Sequence, residues 1–449
     1  MSADVRIRNE CRDGMKEAFD LAVVGAGPGG MAAAAIASEV GLRVCLLDDN
    51  RSPGGQIWRG LHPNTSTTNP HGREFSARAE RLLRTNCEIW TGSQVIDQPA
   101  PNTLRIERDG ELRDLSYGKL ILATGARERF LPFPGWTLPG ITGAGGLQAL
   151  VKSGLDVRGK RVLVAGTGPL LLAITAGLRD AGAKIVAIYE QASLKKLTRL
   201  GFTLRNHPGK IAEGFGYAKK LRGIRYGTGS WVKSAEGSIR LERVTVTDGR
   251  KEWTHECDWL ACGFHLVPNL ELPLLVGCVV SNGYVTVDDF QRSSVSGIAC
   301  VGELTGIGGL DKALIEGEIA GWFAAGRKDK AHALSPQLRK LRTFTRRLDE
   351  AFALRKELGA LCRPETIICR CEDVASSTLQ TCASWREAKL HTRCGMGACQ
   401  GRICGPATEF LFGWKYGSVR PPVLPASLSS IAVMPEPRTG QADALKPAR

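Results

Sequence analysis

An α/β protein with two Rossmann-like units and a small helical C-terminal module is the fold class this sequence predicts. Three observations carry it. GAGPGG at 25–30 lies between an apolar strand and an Ala-rich helix. A second unit of the same design begins near Gly166. Seven of the fourteen cysteines fall between Cys362 and Cys404.

In chain order, residues 1–17 read as a leader. FDLAVV (Phe19–Val24) reads as a strand, the glycine loop and a helix to about Val40 follow, and RVCLLDD at 43–49 is the next strand. KRVLVAG at 160–166, GTGPLLLAITAGLRDAG at 166–182 and AKIVAIYE at 183–190 repeat that strand–loop–helix–strand design, an internal repeat of one nucleotide-binding unit. LRIERDG at 104–110, SIRLERVTVTDG at 238–249 and YVTVDD at 284–289 read as hairpins or crossovers. GIGGLDKALIEGEIAGWFAAG at 306–326 is another loop running into a helix. Residues 18–150 and 263–326 are assigned to the first domain, split around a second at 151–262. In the connector, 327–365, Ser335 is placed as N-cap with Pro336 in the first turn. Leu338, Leu341, Phe344, Leu348 and Phe352 then recur at helical spacing as a packing stripe. The cysteine module spans 366–412, and 413–449 is a tail.

Composition bounds the function. At 449 residues the chain holds two or three domains, and 43% hydrophobic with 23% charged residues is ordinary for a soluble globular protein. No run of about 18 apolar residues suggests a spanning helix. The N-terminus lacks an apolar h-region. Many cysteines without a signal imply the cytoplasm, where reduced thiols can bind metal. The net charge is +15, and eleven basic residues face four acidic ones between Arg327 and Arg363. That segment reads as a solvated helix face, or as a docking surface for an acidic partner or an anionic membrane. No recognition motif accompanies the charge, so no nucleic acid is expected.

The chemistry lies in the loops. Gly25, Gly27 and Gly30, with Gly29 between, fit G-x-G-x-x-G: a tight turn, close approach of a pyrophosphate to a helix N-terminus, and close helix–strand packing. Asp48 ends the second strand, where a carboxylate takes ribose hydroxyls. In the repeat, Gly166, Gly168 and Glu190 hold the matching places, but Leu171 replaces the third glycine, so the helix is expected to stand farther from its strand. Glu190 would repel a 2′-phosphate; NAD, ATP and an empty fold remain open there. The cysteine module offers a Cys-x-Cys pair, Cys369 and Cys371, and two Cys-x4-Cys options among Cys394, Cys399 and Cys404. Four thiolates suit a [2Fe–2S] cluster. They also suit Zn²⁺, although Cys-x-Cys is unlike a Cys-x-x-Cys knuckle. Cys45, Cys257, Cys262, Cys278 and Cys300 read as core thiols, so no redox dithiol faces a cofactor. His62, His71, His207 and His265 are read as structural; His265 stands apart because it follows the strand returning to the first domain.

GAGPGG at 25–30, PGGQIW at 53–58, LATGARER at 122–129 and VGELTGIGGLDKAL at 301–314 resemble the two-dinucleotide-binding-domain flavoproteins of the pyridine nucleotide-disulfide reductase superfamily. That resemblance implies an FAD domain split around an inserted NAD-like domain. It places Gly54, Gly55 and Gln56 beside the flavin ring and Ala123, Thr124 and Gly125 toward the adenine end. Gly302 and Glu303 fall on the ribityl and phosphate, with Glu303 where the family usually has Asp. A helix starting near Gly309 and Leu310 would aim its positive end at the flavin N1–C2 carbonyl. CRCE at 369–372 with TRCGMGACQGRIC at 392–404 resembles the bacterioferritin-associated-ferredoxin (BFD)-like [2Fe–2S] domain. It implies Cys369, Cys371, Cys399 and Cys404 as ligands and Cys394 as a spare, while Gly395, Gly397 and Gly401 bring backbone N–H groups toward the sulfurs.

With FPGWTLPG at 133–140 and AGTGPLLL at 165–172, the whole layout resembles the α, A or B subunits of opine oxidase, hydroxyproline or proline dehydrogenase and hydrogen cyanide synthase. The resemblance implies an electron-transfer subunit of a heteromeric amino-acid or imino-acid dehydrogenase. Its implied catalytic partner is a flavoprotein resembling D-amino-acid oxidase. Further expectations are FMN shared between subunits, a peripheral inner-membrane or respiratory-chain contact, and a small ferredoxin-like subunit. No catalytic residue is assigned to this chain. A self-contained NADH-dependent reductase and a non-enzymatic iron–sulfur docking protein are the alternatives.

Overall fold

The computed structural model describes residues 17–59, 61, 70–205, 208–415 and 419–432. The leader through residue 16, His62 and His207 lie outside them. The fold is α/β. Strand Glu17–Val24 sits at the centre of a seven-stranded sheet, parallel to Val44–Leu47 on one side and Glu111–Leu122 on the other. Ile298–Cys300 returns late in the chain to pair in parallel with Glu111–Leu122. Strand VCLL is buried along its whole length, because helices and loops cover both faces of a parallel sheet. Cys45, Cys278 and Cys300 are core residues of this sheet, as their apolar settings predict.

Helix Pro28–Glu39 is buried along Gly29–Ser38. Its run of alanines lets it lie against helix Gly309–Ala324. A Cβ at Gly317 would overlap the Gly29 carbonyl, so glycine sets how closely the two helices meet.

The second sheet has five parallel strands in the order Tyr226–Thr228, Lys184–Glu190, Arg161–Thr167, Trp259–Phe264, Ile141–Gly143. Cys257 and Cys262 are buried here. An antiparallel meander of Trp231–Glu236, Arg243–Thr247 and Glu252–Glu256 lies beside it. Leu266–Pro268 pairs antiparallel with Ala126–Glu128 where the chain crosses between the two folds.

The connector forms helix Ser335–Phe352. Ser335 is its first residue and does not cap it: Leu334 takes the cap position, and the Ser335 hydroxyl is buried with no hydrogen-bond partner among the described residues. The apolar stripe packs as expected. Leu338 and Leu341 meet Ile315 and Ile319, while Leu348 and Phe352 meet Ala192, Leu197 and Leu200. The helix braces both nucleotide folds. Part of the tail is packed too: Val423 N–H donates to the Ile96 carbonyl (2.9 Å), and Gln94 Nε2 donates to the Pro425 carbonyl (2.7 Å). No helix among the described residues is long and apolar enough to cross a membrane.

One buried ion pair anchors the returning segment. Lys312 and Glu316 are 2% and 0% exposed, and Nζ lies 2.8 Å from the carboxylate. Lys312 also donates to the Gly302 carbonyl (2.9 Å) and Thr305 Oγ1 (2.8 Å), while Glu316 accepts from Gly302 N–H (2.9 Å). Lys312→Met leaves the buried Glu316 carboxylate with the more distant Arg342 (3.5 Å) and should lower the unfolding free energy by about 3 kcal/mol. Lys312→Met combined with Glu316→Leu should recover part of that loss. Chemical denaturation of the three proteins checks it.

Candidate cofactor sites

The first glycine loop joins Glu17–Val24 to Pro28–Glu39. Gly25 takes φ +105° at the turn, and its missing Cβ lets the Ala123 carbonyl close in. Gly27 is the helix N-cap residue, and no side chain caps the free amides. A Cβ at Gly27 would meet nothing nearer than the Gly55 Cα at 4.0 Å, so Gly27 and the Gly54–Gly55 turn leave an open cradle at a helix N-terminus. Asp48 is buried at the end of its strand, accepting Ala26 N–H (2.6 Å) and Asn50 N–H (2.8 Å). Beside the cradle, Trp58 Nε1 and Arg59 Nε are buried donors without a partner among the described residues. Uncapped amides, an open cradle and idle donors fit an anionic dinucleotide such as FAD.

Gly302 (φ +75°) and Glu303 open a 3-10 turn ahead of helix Gly309–Ala324. The Glu303 carboxylate accepts N–H from Gly308 (3.0 Å) and Gly309 (2.9 Å), capping the helix expected to face the flavin carbonyl. Burial raises its pKa above the usual carboxylate value, against the lowering effects of Lys312 and those amides. The longer side chain in place of the usual Asp reaches these amides. Thr124 and Asn269 clasp one another: Thr124 Oγ1 donates to the Asn269 carbonyl (2.9 Å), and Asn269 Nδ2 to the Thr124 carbonyl (2.7 Å).

The second glycine loop is built alike but covered differently. Gly166 and Gly168 take φ +143° and +98°. Leu171 is buried, and its side chain fills the space over Gly263 on the neighbouring strand. A glycine across the sheet therefore accommodates the bulk that replaces the third loop glycine. Glu190 is fully buried, which raises its pKa. Its carboxylate accepts Gly168 N–H (2.7 Å), Ala192 N–H (2.7 Å) and the Thr167 hydroxyl (3.0 Å). The end of the connector helix lies over this point. The Phe352 carbonyl accepts from Thr167 Oγ1 (3.2 Å), and Gln191 Nε2 donates to the carbonyls of Phe352 (3.3 Å) and Ala353 (3.2 Å). Arg355 follows, its guanidinium 4.0 Å from the Trp231 ring centre. The carboxylate's acceptor positions are largely filled by protein.

Five cysteines converge in the C-terminal module. Sγ atoms of Cys369, Cys394 and Cys404 lie within 4.8 Å of one another, all buried. Cys399 is hydrogen-bonded to Cys404 and to Cys371, which extends the group. The neighbouring thiols of Cys394 and Cys404 hold the Cys369 pKa well below the usual thiol value, and Cys404 lowers that of Cys399. Gly395 N–H points at Cys369 Sγ (3.5 Å). A Cβ at Gly397 would overlap Cys371 Cβ, and one at Gly395 would press into the Trp385 ring. The glycines thus bring the loop against its sulfurs. Cys394, set aside from sequence as a spare, lies inside the sulfur group. An all-thiol donor set of this kind fits an iron–sulfur cluster or Zn²⁺.

The module is docked on both folds. Trp136 Nε1 donates to the Ile367 carbonyl (2.6 Å), and Cys362 Sγ to the Pro132 carbonyl (3.2 Å). Arg127 was not singled out from sequence and makes the shortest link to the first fold. Its Nε donates to the carbonyl of Arg402, between Cys399 and Cys404 (3.3 Å); its other arm reaches Asn269 Oδ1 (2.7 Å) and Glu271 (2.9 Å). LATGARER put Arg127 near the flavin segment, but nothing local marks its distant acceptor.

Comparison with known proteins agrees with this layout. Residues 19–327 match the pyridine nucleotide-disulphide oxidoreductase family. Hydrogen cyanide synthase subunit HcnB of Pseudomonas aeruginosa is 31% identical, over 85% of this chain and 90% of its own length. An opine oxidase subunit of Rhizobium meliloti is 29% identical, over 93% of this chain and 99% of its own. The L-proline dehydrogenase structure from P. horikoshii superposes with a TM-score of 0.68 at 18% identity, covering 95% of this chain and 82% of that one. T. acidophilum thioredoxin reductase gives 0.54 at 20% identity, over 69% of this chain and 99% of that one.

Arg127→Ala removes charge-assisted hydrogen bonds to Asn269 and Glu271 and should cost about 2 kcal/mol. Arg127→Lys cannot span both anchors and should recover little. Chemical denaturation of the three proteins reads both.

Proposed function

We propose, for a chain that belongs to the pyridine nucleotide-disulphide oxidoreductase family, the role of electron-transfer subunit in a heteromeric amino-acid or imino-acid dehydrogenase, holding FAD and a [2Fe–2S] cluster. The observation that carries this is the clasp Thr124–Asn269–Arg127–Arg402, which ties the cysteine loop to the flavin-motif segment in one body. The similarity to subunits named for hydrogen cyanide synthase and opine oxidase supports a partner chain. That partner, a flavoprotein resembling D-amino-acid oxidase, would take the hydride from the amine-bearing carbon.

When bound, the flavin supplies a store that takes two electrons together and gives them up singly, and the cluster a one-electron exit. The protein's part is to hold and to exclude. Amides at the start of Pro28–Glu39 bind the pyrophosphate, and Asp48 orients the adenosine ribose. Gly54, Gly55 and Gln56 flank the ring, and Gly302 and Glu303 approach the ribityl chain. Cys369, Cys371, Cys399 and Cys404 would hold the cluster. Cys394, its sulfur within 4.8 Å of those of Cys369 and Cys404, would donate its S–H to a ligand sulfur, and such a bond raises the potential of a thiolate-ligated cluster.

The NADH-dependent reductase reading is the weaker one. Glu190 accepts protein donors much as Asp48 does, but at the second site Phe352 and Ala353 of the connector lie across the loop where an adenosine would sit.

The purified chain should contain FAD, two irons and two sulfides. Cys369→Ser and Cys404→Ser should lose the iron, while Cys394→Ser should keep it with a lowered potential. Iron loss in Cys394→Ser with retention in Cys371→Ser would overturn the ligand set. NADH should leave the flavin absorbance unchanged. The isolated chain should show almost no amino-acid or imino-acid dehydrogenase activity; full turnover by it would refute the subunit role.

A further inference from the structure

We propose that helices Leu194–Leu204 and Pro208–Lys220 of the second fold form a docking face for an anionic lipid bilayer. Such a contact is separate from the subunit role above, and neither needs the other. By composition the connector is the expected basic surface, with eleven basic residues against four acidic ones. In the structure its apolar stripe is packed against both folds, so its charge stands on a helix whose apolar side is already covered. The two helices of the second fold present charge and apolar side chains together.

Each helix has one side inside and one outside. In Leu194–Leu204, Leu197 and Leu200 pack on Leu348 and Phe352 of the connector. Lys195, Arg199 and Phe202, at four- and three-residue spacing, fall on the opposite side, and all three are exposed. In Pro208–Lys220, Tyr217 turns inward and, with Leu221 just beyond the helix, joins the apolar core of the second fold. Ala212, Phe215 and Lys219, at three- and four-residue spacing, line the outer side. Phe202 and Phe215 are 69% and 72% exposed, and Leu194, at the start of the first helix, is 63% exposed. Three large apolar side chains this open to water, on two helices that touch, mark a surface that gains by being covered.

The charge says what covers it. Residues 194–220 hold seven basic residues, five of them lysine, and one acid, Glu213. Glu213 is paired with Lys210 (3.2 Å), and Lys220 reaches Asp180 (2.7 Å). No carboxylate among the described residues pairs with Lys195, Lys196, Arg199 or Lys219. The face is therefore positive around its phenylalanines, and its complement is negative. A protein partner and a bilayer select different residues. Lysine is depleted at protein–protein interfaces, where tyrosine, tryptophan and arginine gather. On a helix that lies in a bilayer surface, lysine is the usual neighbour of an inserted phenylalanine or leucine. The rings enter the acyl boundary while the ammonium groups stay among anionic headgroups.

The test is sedimentation of the full chain with vesicles of phosphatidylcholine, alone or with about a third phosphatidylglycerol, at low and high salt. The chain should sediment with the anionic vesicles at low salt, far less at high salt, and stay in solution with phosphatidylcholine alone. Phe202→Ser with Phe215→Ser should weaken anionic-vesicle binding by about a hundredfold. Lys195→Gln with Arg199→Gln should weaken it by about thirtyfold. Lys340→Gln with Arg347→Gln, which removes the same charge from exposed connector positions, should leave it unchanged. Thermal unfolding should match wild type in all three, because each replaced side chain is exposed. A chain that binds neither vesicle, binds both alike, or loses binding equally in the connector variant overturns the proposal. So do phenylalanine variants that bind vesicles like wild type; if these shed a co-purifying flavoprotein, the face belongs to a protein partner instead. Dehydrogenase turnover by the isolated chain, which would refute the subunit role, leaves every one of these outcomes as it is.

Discussion

The structure depends on one long-range contact, the guanidinium of Arg127 held between the cysteine loop and the first nucleotide fold. Beside it, the module at 366–412 is held through Trp136, through Cys362 and through the Arg402–Glu271 pair (3.8 Å). With it, the Arg402 carbonyl between two cysteines is three residues' reach from Thr124. Glu271, at 2.9 Å, balances the charge, so the link is a partly buried pair with satisfied hydrogen bonds. Electron transfer tolerates little added distance. A rigid clasp at this point gives the flavin motifs and the cysteines a common purpose.

The connector helix applies the same logic to the second fold. Its apolar stripe brings Phe352 to the mouth of the repeated glycine loop, where backbone carbonyls meet Thr167 and Gln191. The strands and loop of the repeated design persist there, with the end of the connector helix hydrogen-bonded across the loop. The helix also positions Asp349 beside His265.

Much of this was legible in the sequence. Both glycine loops, the strands around them, the connector stripe and the dense cysteines announce themselves through spacing, because a turn, a helix face or a ligand set is a local pattern. What stayed hidden depends on distant partners. Gly263 gives no local sign that it makes room for Leu171. Glu303 reads as a cofactor acid, yet its extra methylene lets it cap Gly308 and Gly309. Ser335 and Pro336 look like a helix start, and the helix does start there, one position off the expected cap. Cys394 lies among Cys369 and Cys404 because the loop folds back, which spacing alone does not specify.

The central claim is that electrons stored on the flavin leave through the cysteine module of the same molecule. The most direct measurement is anaerobic flash reduction of the flavin in the purified chain, with cluster reduction followed over a range of protein concentrations. Flavin reoxidation and cluster reduction are expected at one common rate, independent of concentration. A cluster that stays oxidised, or is reduced only in proportion to protein concentration, would contradict the claim.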